Sequence, residues 1–262
     1  MEERRDEMLL AVDIGNTTID IGLFKGKTLI EHWKIRTERE KTADEYAMTL
    51  LNLFSFSGVE AKKIKSVLVS SVVPPLTPVF EDLSQSLFEV KPLVVGPGLK
   101  TGLAILYENP LEVGADRVVA AIAAYEKHGG PCIVVDFGTA TTFDAISSKG
   151  EYLGGAIAPG IQISAEALYL KTAKLPRIEI RKPKKAIGRT TVSSMQSGLY
   201  FGYIGLVTNI IEEIKKELGA KAKVVSTGGF GAQISHEIKS IDSFEPYLIL
   251  EGLRILHQRN RK

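Results

Sequence analysis

The stretch of sequence that decides the fold is LAVDIGNTTIDIG, residues 10–22, and its pattern returns as IVVDFGTATTFD, residues 133–144. Each copy is an apolar run followed by Asp, any residue, Gly and a turn rich in hydroxyl side chains. The leading aspartates, Asp13 and Asp136, are separated by nearly half of the 262 residues. A repeat of that length predicts two copies of one α/β domain rather than a solenoid.

Strand and helix patterns continue after both copies. Short apolar runs predict strands at residues 9–12, 19–24, 29–35 and 67–69, then at 132–135, 142–146, 152–157 and 224–226. Capping signals and apolar periodicity predict helices at residues 42–58, 76–87, 115–125, 192–218 and 248–258, with glycines interrupting the fourth. The chain should therefore divide into a first half, residues 1–125, and a second half, residues 126–262.

Composition and charge exclude several classes of protein. Hydrophobic residues make up 44% of the chain, which is enough to form a sizeable core. The 33 basic and 31 acidic residues nearly balance, which argues against a protein that coats nucleic acid. No apolar run approaches the ~20 residues of a membrane helix, and the charged start, residues 1–7, is unlike a secretory signal. We therefore expect a cytoplasmic protein with neither a nucleic-acid nor a membrane partner.

Cysteine and histidine offer little chemistry in this chain. Cys132 is the single cysteine, so the chain forms no internal disulfide and no thiolate zinc site. It lies in a predicted buried strand, where a thiol is usually inert. The four histidines are scattered and form no His-Glu-x-x-His pattern. We therefore look for the chemistry among the carboxylates.

The repeated motif has the parts of a phosphate-binding hairpin. Its glycine allows a ligand to approach closely, and the exposed N–H groups of the turn form an anion-binding nest. Threonine hydroxyls add donors for phosphate oxygens, and Asp13 at the end of its strand is a hard oxygen ligand suited to Mg²⁺. Two such hairpins would clamp a polyphosphate; alternatively, their aspartates only stabilise ordinary turns. The glycine-rich turn at residues 224–231 would accept the nucleoside end.

Gly114–Arg117 lies at the start of a predicted helix and offers a second type of chemistry. Asp116 there is either a helix-capping residue or a general base, and Arg117 is either a surface charge or a fork for a carboxylate. Phosphoryl transfer needs positioned charges, a metal and a group that accepts the proton of the acceptor hydroxyl. An Asp–Arg pair therefore suits a substrate that is an acidic alcohol.

Seven segments together point to one family. The two phosphate motifs are accompanied, in order, by Tyr107–Pro110, Gly114–Arg117, Gly154–Gly160, Thr191–Gly198 and Ser226–Gly229. These segments resemble those of type III pantothenate kinases, in the acetate and sugar kinase/Hsp70/actin superfamily, with Ser226–Gly229 as the adenosine motif. The resemblance covers about residues 8 to 255. It implies an α/β fold of duplicated ribonuclease H-like (actin-like ATPase) domains, with mixed β-sheets flanked by helices.

The resemblance also implies an activity and a set of site residues. The chain would phosphorylate the primary hydroxyl of pantothenate with ATP, the first step of coenzyme A synthesis, as a homodimer that requires Mg²⁺ and potassium or ammonium. Asp116 would accept the proton, Asp136 would bind the monovalent cation, and Asp13 would organise Mg²⁺, directly or through water. The ATP-binding residues would be Asp13, Ile14, Gly15, Asn16, Thr17, Thr18, Ile19, Asp20 and Thr139. The pantothenate-binding residues would be Tyr107, Gly114, Ala115, Asp116, Arg117 and Thr191.

The sequence departs from the family pattern at two places and leaves alternatives open. Thr190 occupies a position where the family usually has Asn, and residues 1–7 extend before Met8, the family's usual start. Two other functions stay open: another small-molecule kinase of the superfamily, or an ATP-binding regulatory protein that assists transcription. The aromatic and glycine-rich residues 197–211 are either core residues or a dimer surface.

Overall fold

The two motif copies open two β-sheets that are built in the same way. The computed structural model describes residues 7–219 and 221–261, so residues 1–6 of the predicted extension lie outside the described residues. The strands of the first sheet are β1 (Met8–Ile14), β2 (Thr18–Lys25), β3 (Thr28–Arg36), β4 (Ile64–Ser71) and β5 (Leu93–Val94). Those of the second are β6 (Ala104–Ile105), β7 (Cys132–Phe137), β8 (Ala140–Ile146), β9 (Glu151–Pro159), β10 (Lys223–Thr227) and β11 (Ser243–Phe244).

Strand order and direction demonstrate the duplication. The first sheet has the order β3-β2-β1-β4-β5, in which β1 to β3 are antiparallel neighbours and β4 and β5 are parallel to β1. The second sheet has the corresponding order β9-β8-β7-β10-β11 with the same directions, and β6 adds to the outer edge of β9. The prediction of a duplicated α/β fold with mixed sheets is therefore confirmed.

Helices flank both sheets. They are α1 (Ala43–Ser57), α2 (Leu76–Phe88), α3 (Ala115–His128), α4 (Ile161–Lys171), α5 (Thr191–Leu218), α6 (Gly231–Ile234) and α7 (Leu248–Asn260). The predicted capping box of α1 is present, because the Thr42 hydroxyl accepts from the N–H of Glu45 and the Glu45 carboxylate accepts from the N–H of Thr42. Gly58 ends this helix in the left-handed conformation that glycine favours.

Helix α5 differs from its prediction. It runs for 28 residues without a break, although glycines were expected to interrupt it. Tyr200, Tyr203, Val207 and Ile211 recur at three- to four-residue spacing and are buried, so one apolar face holds the helix against the second sheet. Tertiary burial thus outweighs the ~1 kcal/mol that each helical glycine costs. Of the two interpretations of residues 197–211, core packing is the one seen for these four side chains.

The chain forms two compact units whose limits differ from a simple cut at residue 125. One unit contains residues 7–103, 108–123 and 247–261, and the other contains residues 104–107 and 124–246. Helix α7 returns to the first unit because Gly252 fits directly against the backbone carbonyl of Val119, where a Cβ atom would lie only 2.2 Å from that oxygen. Tyr107 belongs to the second unit because β6 pairs with β9.

Each unit has its own hydrophobic core. In the first, alternate residues of β1, β2 and β4 pack under α1 and α2, with Tyr46, Phe54 and Phe80 among the largest buried side chains. In the second, residues of β7, β8 and β10 pack against α5. Cys132 is fully buried, and burial raises the pKa of its thiol to about 12, as expected for an inert core cysteine.

Candidate active site

A row of polar side chains crosses the first sheet where β1 ends. From the edge strand inward, this first polar row consists of Lys34, Asp20, Asp13 and Ser70, each paired laterally with the next. Strand neighbours such as Val12 and Val69 belong to the core under α1 and α2. Because side chains alternate across a strand, the row lies on the opposite face of the sheet. The structure thus brings the two ends of the first predicted phosphate motif, Asp13 and Asp20, directly opposite each other.

Basic groups surround Asp20. Its carboxylate lies 3.1 Å from Nε2 of His32 and 3.0 Å from Nζ of Lys34. Burial acts to raise the pKa of Asp20, but the hydrogen bonds and charges of these two neighbours outweigh it, and the net pKa is lowered. Asp20 is therefore a carboxylate at neutral pH. Its basic neighbours offset the repulsion expected between two acids on opposite strands.

The turn of the first hairpin is held by a residue that sequence reasoning missed. The Thr37 hydroxyl donates to the carbonyl of Gly15 at 2.7 Å, and the Thr37 N–H donates to the carbonyl of Thr17 at 3.0 Å. Asn16 and Thr17 at the tip are exposed to solvent, as a ligand-binding turn requires. No local pattern marks Thr37, because it lies beyond β3 and meets the turn only through the fold.

Asp116 lies in the first turn of α3, at the same end of the first unit as the polar row. Gly114 comes close to Val72, whose N–H donates to the carbonyl of Ile14 at the end of β1. The N–H of Arg117 donates to Oδ1 of Asp116 at 2.8 Å. Burial raises the pKa of the Asp116 carboxyl, against the opposing effect of this hydrogen bond and of the Arg117 charge. A carboxylate with a raised pKa is a better proton acceptor than an exposed one.

Gly114 has a steric reason to be glycine. A Cβ atom at this position would lie 2.5 Å from Oδ1 of Asp116. The carboxylate therefore folds back over the start of the helix into the space that a side chain at residue 114 would fill. Because the motif is short, Asp116 and Arg117 are neighbours in the first turn of α3.

The second unit carries a row in the corresponding place. This second polar row consists of Thr142, Asp136 and Thr227, which are laterally paired across β8, β7 and β10. Gly228 follows Thr227 with φ of +93°, and a Cβ atom there would lie 2.3 Å from Oδ1 of Asp136. The predicted adenosine motif is thus folded directly against the predicted cation ligand. Only glycine fits this combination of positive φ and close contact.

Thr139 lies exposed at the tip of the second hairpin. A Cβ atom on Gly160 would lie 2.3 Å from the Thr139 carbonyl oxygen, so this glycine lets the start of α4 approach the hairpin. Thr141 is fully buried, and its hydroxyl shares a hydrogen bond with the hydroxyl of Tyr203 in α5. Burial, with the nearby charge of Asp136 adding to it, raises the pKa of Tyr203 to about 12. Helix α5 therefore contacts and stabilises the second hairpin through this buried hydrogen bond.

The predicted pantothenate residues of the second unit lie in two places. Tyr107 follows β6, and its ring lies over Gly154, where a Cβ atom would be only 3.4 Å away. Its neighbour Tyr152 donates a hydrogen bond to the buried carboxylate of Asp144 at 2.6 Å. Thr191 is the first residue of α5, directly after the capping residue Thr190, whose hydroxyl accepts from the N–H of Ser193. Both Thr191 and its capping neighbour are exposed.

A pocket of about 440 Å³ opens beside the adenosine motif in the second unit. It is lined by Gln162, Ala165, Glu166, Arg177, Ile178, Glu179, Ile180, Phe230 and Gln233. The lining consists of four apolar side chains, two amides and three charged side chains; the apolar groups suit the faces of a flat heterocycle and the polar groups suit its edge. Sequence reasoning missed these residues except for Phe230, because α4 was not predicted and residues 177–180 carry no regular pattern.

The possible cation ligands are few. In the part of the chain that the structure describes, no group of three or more His, Cys, Asp or Glu side chains is arranged to hold a metal ion. A divalent cation at Asp13 would therefore need phosphate oxygens and water as its other ligands, which is how Mg²⁺ commonly binds beside a nucleotide. Within residues 7–219 and 221–261, no helix has the length and apolar character to cross a bilayer.

Solved structures share this fold at low sequence identity. A Campylobacter jejuni protein provisionally assigned to the Baf family of transcriptional activators matches with a TM-score of 0.61 and 18% identity, over 96% of this chain and 98% of that one. A Porphyromonas gingivalis protein provisionally described as an N-acetylglucosamine kinase matches with a TM-score of 0.53 and 14% identity, over 97% and 100%. At these identities the likeness concerns the fold alone.

Sequence relatives identify the family. The model of the type III pantothenate kinase family matches residues 9–213. A Myxococcus xanthus protein named type III pantothenate kinase is 52% identical over 253 residues, which is 97% of this chain and 99% of that protein. The resemblance drawn from the motifs is thereby confirmed, and this chain belongs to the type III pantothenate kinase family.

Proposed function

We propose that this chain transfers the γ-phosphate of ATP to the primary hydroxyl of pantothenate, yielding 4′-phosphopantothenate and ADP. The observation that carries the proposal is the pair of aspartates, Asp13 and Asp136, at equivalent strand ends in a chain of this family. Each is followed by an exposed turn with glycine and hydroxyl groups, which suits binding of a polyphosphate. The family membership selects pantothenate among the acceptors that such a fold accepts.

The nucleotide would be held mainly by backbone and hydroxyl groups. Residues Asp13 to Asp20 and Thr139 would contact the phosphates, as the motifs predict. The pocket beside Gly228 would take the adenine, with Ile178, Ile180 and Phe230 against its faces and the amides of Gln162 and Gln233 at its edge. This assignment is supported by the direct contact between the glycine-rich turn and the second hairpin.

The two polar rows would bind different cations. Asp13 and Asp20 face each other, so the first row offers two carboxylates to Mg²⁺, directly or through water. Asp136 is flanked by Thr142 and Thr227, so the second row offers one carboxylate and two hydroxyls, which suits potassium or ammonium. When bound, the Mg²⁺ ion neutralises charge on the transferring phosphoryl group.

Asp116 would act as the proton acceptor of the pantothenate hydroxyl. Its raised pKa improves its match to a proton that must be taken near neutral pH. The Arg117 guanidinium, beside it in α3, would hold the pantothenate carboxylate by a two-pronged hydrogen bond. Tyr107 and Thr191 would complete the binding of pantothenate. The proton therefore moves from the substrate hydroxyl to Asp116 as the oxygen attacks the γ-phosphorus.

A homodimer is also proposed. Large apolar side chains of the second unit are exposed on β9 and on the helices beside it, namely Leu153, Ile157, Ile163, Leu170 and Val192. Because Leu153 and Ile157 share one face of β9, and Ile163 and Leu170 share one face of α4, they suit burial against a second copy. Sedimentation of the purified chain tests this proposal: twice the 28.6 kDa monomer mass is expected. The cytoplasmic location stays a prediction from composition.

The activity is tested by ADP release from ATP, Mg²⁺ and pantothenate, with potassium compared against sodium. We expect release that requires pantothenate and is stimulated by potassium, accompanied by one equivalent of phosphorylated pantothenate. A sample without pantothenate controls for ATP hydrolysis. Turnover with sugars or acetate but not with pantothenate would replace the proposal with another kinase activity. ATP binding without any phosphorylated product would favour the regulatory alternative.

A further inference from the structure

Asp144 is a buried acidic side chain of the second unit that the proposed mechanism does not use. Its Oδ1 accepts a hydrogen bond from the Tyr152 hydroxyl at 2.6 Å, and its Oδ2 accepts one from the Thr142 hydroxyl at 3.4 Å. Tyr152 is itself fully buried. Because a short hydrogen bond to a carboxylate is among the stronger ones in proteins, Asp144 fixes the direction of the Tyr152 side chain.

A β-bulge in β9 places Tyr152 beside Asp144. Asp144 pairs laterally with Gly155, and the register then shifts so that Ile146 pairs with Tyr152. Side chains alternate along a strand, so residues 155 and 152 of a regular strand would point to opposite faces of the sheet. The bulge inserts one extra residue, Leu153, and thereby brings Tyr152 to the face that carries Asp144. Bulges are frequent beside active sites, where they redirect a side chain.

Tyr152 also holds the segment that leads to Tyr107. Strand β6 pairs with β9 at this point, with Ile105 opposite Tyr152. The N–H of Leu106 donates to the Tyr152 carbonyl at 2.8 Å. The rings of Tyr107 and Tyr152 lie 6.4 Å apart between centroids, at an angle of 55°, which is a favourable arrangement for an aromatic pair. Tyr107 itself is only partly buried.

We infer that Asp144 and Tyr152 are positioning residues that determine where Tyr107 meets the acceptor substrate. The inference rests on the proposed function, in which Tyr107 binds pantothenate. Both residues are buried, so they act through the Tyr107 ring rather than by touching the substrate. A buried carboxyl group is costly unless its hydrogen bonds are satisfied. It supplies a direction for the Tyr152 ring, which apolar packing does not, because hydrophobic burial is non-directional.

Tyr203 provides a matched control in the same unit. Its hydroxyl is also buried and hydrogen-bonded, but its partner is Thr141 in the second hairpin. Tyr152→Phe and Tyr203→Phe therefore remove the same group from two sites, one linked to Tyr107 and the other to the hairpin proposed for ATP. Asp144→Ala breaks the bond to Tyr152 from its other end, whereas Asp144→Asn keeps an oxygen that can accept it.

The experiment is steady-state kinetics of the full chain, with pantothenate and ATP varied separately. Tyr152→Phe and Asp144→Ala should each raise the KM for pantothenate about tenfold, with little change in kcat or in the KM for ATP, because a displaced Tyr107 weakens acceptor binding. The double variant should have no higher KM than either single variant, since both changes break the same bond. Asp144→Asn should stay closer to the wild type. Tyr203→Phe should raise the KM for ATP instead.

The outcomes separate this inference from the proposed function. Pantothenate turnover with an unchanged KM in Tyr152→Phe would overturn the inference and leave the proposed function standing. Equal rises in the KM for pantothenate in Tyr152→Phe and Tyr203→Phe would also overturn it, because they would indicate a general packing effect. If the wild type phosphorylates a different acceptor, the proposed function is wrong, and the same comparison with that acceptor tests the role of Tyr152.

Urea unfolding gives a second test that needs no substrate. Tyr107→Ala, Tyr152→Phe and the double variant are compared with the wild type. If the Tyr152 hydroxyl positions the Tyr107 ring, the double variant should lose less stability than the sum of the two single losses, because the changes act on one contact. Losses that simply add would overturn the inference, whatever the wild type phosphorylates.

Discussion

The two polar rows occupy the same place in duplicated units, but their residues differ. Opposite Asp13 lies a second carboxylate, Asp20, whereas opposite Asp136 lies the hydroxyl of Thr142. On the parallel side, Ser70 flanks Asp13 and Thr227 flanks Asp136. The turns differ as well, since residues 15–18 close the first hairpin and residues 138–140 close the second.

This difference teaches that the two units share the strand arrangement but present different polar side chains at the same place. The first row has two carboxylates with Lys34 and His32 beside one of them, and the second has one carboxylate between hydroxyls. The difference therefore lies in ligand type rather than in net charge, because Lys34 offsets one of the two carboxylates of the first row; carboxylate oxygens are the hard ligands that Mg²⁺ prefers. The second turn is one residue shorter, and Asp144 follows Asp136 by eight residues whereas Asp20 follows Asp13 by seven; these two differences together move Asp144 away from its leading aspartate. Asp144 lies two residues farther along, opposite Val134.

The largest expected effect tests a residue outside both rows. Asp116→Asn should reduce kcat by ~10² to 10⁴, the usual contribution of a positioned base. Mg²⁺-dependent ADP binding and potassium dependence of the residual rate should persist, because both rows are intact. Asp44→Asn is the matched control: Asp44 is the second residue of α1, as Asp116 is of α3, and it is exposed.

The stability of Asp116→Asn provides a second readout of the same change. Burial raises the pKa of Asp116, so ionisation of this carboxyl is less favourable in the folded than in the unfolded chain. The folded chain is therefore most stable with respect to this group at low pH, and it loses stability as the pH rises through the folded pKa. Asp116→Asn should therefore be more resistant to urea than the wild type at pH 7. The gain should shrink as the pH falls toward the ordinary Asp value of 3.8. A less stable variant with proportionally lower activity would indicate a helix-capping role instead.

Replacing the leading aspartate of either row should have the next largest effect, a higher requirement for the cation that this row binds. Asp13→Asn should raise the Mg²⁺ concentration needed for half-maximal rate by about 10- to 100-fold, as expected when a metal site loses a charged contact. Asp136→Asn should raise the potassium requirement instead and leave the Mg²⁺ requirement within about twofold. Each variant serves as the control of the other in titrations of both cations. If both variants lost both dependences equally, the rows would not differ in the cation that they bind.

Much of the fold was predictable because its signals are local. The apolar run, Asp and Gly of each motif predicted both hairpins, and Thr42 with Glu45 predicted where α1 begins. Helix α4 was missed because its side chains show little amphipathic pattern, and only Ile161 in it is buried. The return of α7 to the first unit depends on the contact between Gly252 and Val119, which no local signal reveals.

The residues of the candidate site also fall into two groups, those that a local motif predicts and those that only the assembled sheet brings together. Asp13, Asp116 and Asp136 were predicted because each lies in a short motif of characteristic spacing. Ser70 and Lys34 were not, since their place in the row follows from the lateral register of β4 and β3, and register is a property of the assembled sheet. The raised pKa of Asp116 was also beyond prediction, because it arises from burial and not from residue type.

The smallest expected effect compares equivalent glycines in the two turns. A Cβ atom on Gly15 would lie 3.0 Å from the carbonyl oxygen of Thr18, whereas one on Gly138 would lie 3.4 Å from that of Ala140. The Thr18 carbonyl also accepts the hydrogen bond of the Gly15 N–H and cannot move away without weakening it. Gly15→Ala should therefore lower the free energy of unfolding by about 1 kcal/mol, and Gly138→Ala by less than about 0.5 kcal/mol. Urea unfolding of both variants measures the difference, and a larger loss at Gly138 would show that the shorter turn is the tighter one.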